Sequence, residues 1–157
     1  MLIDDDDITV ELPLEVEDQY ITSLGCFTQP VGKTPIIAGF VWITRLFRIQ
    51  SRILCLLRKA QRSTESGNSL DQARQQIEQM AAELQAEMCQ LPDALDLFCE
   101  PHEDSLDSRY AFEVCKANLL VTHALARFNL YQLAFLTGVY DHSLDDTTQS
   151  VLKRLDL

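Results

Sequence analysis

Residues 34–62 constrain the chain more than any other stretch. Thr34 and Pro35 open it in the way helices start, with a capping side chain and then a residue lacking the N–H that would be left unpaired. Ile36, Phe40, Phe47, Leu54 and Leu57 fall near one face, and Ile43, Leu46, Ile49, Ile53 and Leu56 widen it. A band this broad implies burial against more than one neighbouring element. What is left is a narrow basic ridge, because Arg45, Arg48, Arg52 and Lys59 lie within about 60° of one another at 100° per residue. The stretch holds six basic residues and no acidic one. It is a core helix with one charged edge.

The remaining pattern is helical too. Residues 63–69 have loop composition, with Gly67-Asn68 suited to a tight turn. Ser69, with Gln72 three residues on, forms a capping box for a second helix. Its apolar residues step at Leu70, Ala73, Ile77, Met80, Leu84, Met88 and Leu91, a narrow seam that predicts one antiparallel neighbour, the first helix. Pro92 and Pro101 bracket a short helix over 93–99. From Asp107 or Ser108 a third long helix runs to about Leu136, apolar nearly all round and stopped by Gly138. Such a helix is expected at the centre of a helical core. A last helix is expected over 143–155, where apolar residues with little to cover them suggest a fold that continues past residue 157.

Residues 1–33 read as an extended acidic arm. Eight of the 24 acids lie in the first 18 positions, and within a mostly irregular arm Ile8, Val10, Leu12 and Leu14 alternate like a short strand or an edge segment. The arm's charge opposes that of the ridge, so the two are expected to pair. The fold class is therefore all-α: an irregular bundle of four to five helices (about 34–62, 69–91, 93–99, 108–137 and 143–155) behind an acidic arm, forming part of a larger helical domain.

A net charge of −11 opposes direct contact with nucleic acid and with anionic membranes. The longest uncharged runs, such as 128–140, are too short for a membrane span. Five cysteines, at 26, 55, 89, 99 and 115, are odd in number with no Cys-x-x-Cys pair, which predicts reduced intracellular thiols packed as small hydrophobes.

Sites for chemistry are sparse. Asp4–Asp7 lack the Gly and Glu that an EF-hand loop requires, and Asp145-Asp146 suit a helix N-terminus better than a magnesium motif. Cys99 and His102, with Cys115 and His123 further on, lack the paired spacing of structural zinc. His123 lies among apolar residues and reads as a core histidine. No phosphate loop, nucleophile elbow or His-Glu-x-x-His occurs. No catalytic residue, cofactor or metal ligand is assigned. Arg45, Arg48, Arg52 and Lys59 remain as a surface for the arm or for a protein partner; no aromatic platform interleaves them for nucleic acid.

Pro13-Leu-Glu-Val-Glu-Asp-Gln-Tyr-Ile21 resembles a short motif in the regulatory domain of fungal zinc-cluster transcription factors. Pro13, Glu15, Val16, Asp18, Gln19 and Ile21 match it, and Glu17 replaces the usual Asp. Ile36–Phe40 leading into Arg45-Leu46-Phe47-Arg48-Ile49 is similar to the helix that follows in that family. Ala117-Asn118, Val121-Thr122-His123 and Arg127–Gln132 resemble its central aromatic-rich helix. The resemblance implies an all-α, non-catalytic regulatory domain, nuclear, acting through the rest of such a factor, through protein partners or in response to a small molecule. It implies no zinc ligand here, since the six spaced cysteines of the zinc cluster are missing, and the chain has about half the length of a complete regulatory domain. The competing expectation is a small-molecule-responsive helical module unrelated to transcription, with a pocket beside Trp42, Tyr110, Phe128 and Tyr131.

Overall fold

The computed structural model describes residues 11–62, 70–97, 99 and 106–140. Three long helices dominate them: α1 (Ile37–Arg62), α2 (Leu70–Cys89) and α3 (Leu106–Leu136). The expected strand over 8–14 does not form in its described part, residues 11–14. Instead the described part of the arm carries a 3-10 turn, Asp18–Tyr20, and a short antiparallel hairpin, β1 (Ile21–Thr22) with β2 (Gly25–Cys26). Gly25, which opens β2 directly after the corner at Ser23-Leu24, has φ +136°, a backbone state that side chains disfavour. The expected helix over 93–99 shrinks to a 3-10 turn, Asp93–Leu95, after which Asp96 is extended. So short a segment cannot repay the cost of nucleating an α-helix. The helix expected over 143–155 lies outside the described residues.

The helices pack up, down, up. Arg45 faces Glu87 and Arg52 faces Glu83, so α2 descends as α1 rises. Gly39, near the start of α1, abuts Cys115, near the start of α3, while Leu130 and Leu133 far along α3 also enter the core, so α1 and α3 rise together. Their contact is the largest among the described elements, and α2 touches both rather than the single neighbour its seam predicted. One core joins Trp42, Leu46, Ile49, Ile53 and Leu57 of α1 to Ile77, Met80 and Leu84 of α2 and to Phe112, Leu119, Leu130 and Leu133 of α3. Each such side chain contributes about 1.5–3 kcal/mol on full burial.

Two faces depart from expectation. Phe40 and Phe47, central to the apolar band of α1, stand 56 % and 53 % exposed. A helix at the edge of a three-helix bundle buries only one stripe, here the row from Ala38 through Trp42, Leu46, Ile49 and Ile53 to Leu57. α3 is likewise not enclosed. One side of it is core, and the other carries Tyr110, Val121, Phe128 and Phe135 to the surface. Gly138, at φ +72°, ends it as its position predicted and turns the chain so that the Tyr140 N–H donates to Ala134 O at 3.0 Å.

Candidate functional site

The basic ridge sits where α1, α2 and the arm meet. Arg45 projects from the third turn of α1 over Trp42, its guanidinium 4.3 Å from the ring centroid, a cation–π stack. From there one nitrogen reaches Glu15 of the arm at 3.5 Å and another lies 4.0 Å from Glu87 of α2. Two turns on, Arg52 donates to Glu83, which also accepts from Gln79 at 3.0 Å. The Arg52 hydrogen bond holds the Glu83 carboxyl below the usual carboxylate range. Leu12, Arg45, Arg48, Ile49, Arg52, Glu83, Ala86 and Glu87 line an open groove of about 450 Å³. Lys59 is exposed on the same helix but is not among the groove's lining residues.

Of the four ridge residues, then, the fold brings Arg45, Arg48 and Arg52 together and leaves Lys59 apart. The groove's three arginines are largely balanced by Glu83 and Glu87, which the ridge reading missed. Spacing alone does not announce them: Glu83 and Glu87 are four apart on α2 while Arg45 and Arg52 are seven apart on α1, so the pairing follows from how the two helices come together. Pairs this exposed each contribute about 0–1 kcal/mol.

The arm is tied down by a second acid. Glu17 Oε1 accepts the Ile36 N–H at 2.9 Å, and the Glu17 N–H donates to Gln29 Oε1 at 3.1 Å. The acceptor that reaches the entry to α1 is therefore a carboxylate nineteen residues upstream rather than Thr34. A negative charge there also complements the positive end of the helix dipole.

The other candidates stay scattered. Trp42 is buried, Tyr110 and Phe128 face outward, and Tyr131 lies against Tyr140 with ring centroids 5.3 Å apart, so the four aromatics do not line one pocket. Cys99 is exposed, and the Asp96 carboxylate that its thiol approaches pushes its pKa up. Burial raises the Cys115 thiol in the same direction. His123 is half-buried and its pKa lowered, first by desolvation and then by Arg127. Among the described residues no three His, Cys, Asp or Glu side chains group to hold a metal ion, and no helix is long and apolar enough to cross a membrane. Asp4–Asp7, His102 and Asp145-Asp146 lie outside the described residues. Comparison with protein-family models, with curated proteins and with solved structures finds no match to this chain.

Proposed function

We propose that the chain is a non-catalytic regulatory segment of the kind found in fungal zinc-cluster transcription factors, acting in the nucleus through intramolecular or partner contacts. The observation that carries this reading is the use made of the Pro13–Ile21 motif. Two of its three acids engage α1 and its entry, Glu15 at the Arg45 guanidinium and Glu17 at the N–H of Ile36 just ahead of the helix. The motif behaves as a latch between an acidic arm and a basic helix. DNA contact would belong to a zinc-cluster segment, since the chain has none of the six spaced cysteines.

The test is a reporter assay with the chain fused to a heterologous DNA-binding domain. Fusion is expected to change reporter output relative to the DNA-binding domain alone. Reversing Arg45, Arg48 and Arg52 to Glu is expected to shift that output and to speed limited proteolysis within residues 11–33. Unchanged output on fusion rules out the transcriptional reading; an arm as protected in the triple reversal as in the parent rules out the latch.

A further inference from the structure

α3 carries two seams back to back. Phe112, Lys116, Leu119, His123, Ala126, Leu130 and Leu133 repeat by four and three and face α1 and α2. Two positions before each, a second row repeats in the same way: Tyr110, Val114, Ala117, Val121, Ala124, Phe128, Tyr131 and Phe135. Every member of it is exposed except the half-buried Tyr131. An unbroken apolar row of period 3.5 over nearly four heptads, about 38 Å of helix, is the seam of a two-helix coiled coil. A single bundle leaves it in water.

We propose that this row is a homodimer interface, in which α3 packs antiparallel against α3 of a second copy of the chain. The order of side-chain sizes selects the partner and the direction. In antiparallel register Phe128 meets Ala117 of the other copy, Val121 meets Ala124, Val114 meets Tyr131 and Tyr110 meets Phe135. Each pairing occurs twice about one two-fold axis, as an isologous dimer requires. Large residues then face small ones along the middle of the seam, the arrangement that fills a core without voids. A parallel pair would instead stack Ala117 on Ala117 and Ala124 on Ala124, leaving gaps beside layers of doubled valine and phenylalanine. The charges flanking the seam, Glu113 and Arg127, meet no like charge in this register, opposing Ala134 and Leu120.

The area is sufficient. Five large members of the row stand 43–73 % exposed, and Leu120 and Leu125 flank it at 50 % and 46 %. At roughly 100 Å² apiece they supply about 700 Å² per partner, close to the ~800 Å² of a standard interface. Burial against a second copy also gives a reason for a helix apolar on all sides, since in the dimer α3 lies at the centre of six helices.

Sedimentation equilibrium of the full chain between about 1 and 100 µM, a range that reads dissociation constants near micromolar, tests the proposal. A dimer is expected, and Val121→Glu and Phe128→Glu should each weaken it by about 100-fold or more through an unpaired charge at the seam. Both sites face water in the single bundle, so far-ultraviolet circular dichroism should not change. Orientation is read by placing a benzophenone amino acid at position 128, which should crosslink to the neighbourhood of Ala117 in the other copy. A monomer at every concentration, a dimer indifferent to both glutamates, a crosslink to position 128 of the other copy, or one within a single chain to residues 141–157 would each overturn it.

Discussion

Gly39 is glycine because of Cys115. A β-carbon built there would sit 2.3 Å from the Cys115 sulfur and 2.9 Å from its Cβ, so α1 and α3 come together there without room for a side chain. Gly39→Ala should gain a little helix propensity and lose more to overpacking, a net destabilisation of about 1–3 kcal/mol in urea unfolding. Adding Cys115→Ala removes the sulfur but leaves Cβ, so it should recover only part of the loss. His123 makes stability depend on pH. Its folded-state pKa lies below the ordinary 6.5, so the unfolded chain binds the proton more readily. The contribution is fully present above pH 6.5 and is lost as pH falls from there through the folded value. His123→Gln should flatten that slope in urea melts taken between pH 7.5 and 5. Neither the Gly39 contact nor the depressed histidine is legible in sequence, because each depends on what the neighbouring helix brings. The apolar flanks of His123 pointed to a core histidine, and the structure leaves it half-buried on α3.

At the scale of elements, α1 depends on a residue outside itself. Glu17 accepts the N–H just ahead of the helix, so Glu17→Ala removes a cap and a favourable charge together. The expected cost is about 0.5–2 kcal/mol, read as a lower melting temperature, with faster proteolysis of residues 11–33 as the sign that the arm has come loose. Thr34-Pro35 correctly marked where a helix begins, and the periodicity of 36–62, 70–91 and 108–136 correctly marked three long helices. The segment over 93–99 was read too generously, because prolines at both ends describe a bracket and say nothing about whether a turn inside it can propagate. The hairpin at Ile21–Cys26 went unread, its strands being two residues each and too short to show alternation.

In the whole molecule the three helices enclose a single core, and the charged groove between α1 and α2 is a by-product of antiparallel packing as much as a surface for a partner. Three arginines face two glutamates there, and a third glutamate arrives from the arm, so attraction for an external anion is mostly spent internally. The greater departure from a self-sufficient bundle is on the opposite side of α3. There, apolar surface of the size that proteins reserve for interaction stays exposed. Association would complete the core that the three helices begin.

The amino-acid order by itself determined that the chain is helical, where its three long helices run, that Gly138 stops the last of them, and that Arg45, Arg48 and Arg52 share one edge of the first. Those are properties of local period, caps and breakers, which a linear string carries in full. Which stripe of each broad apolar band turns inward was decided only in three dimensions. Phe40 and Phe128 are as apolar as Leu46 and Leu130, and hydrophobicity has no direction until neighbouring helices take their places. The acids that meet the arginines were decided there too, since a charge pair across two helices exists only once their register does.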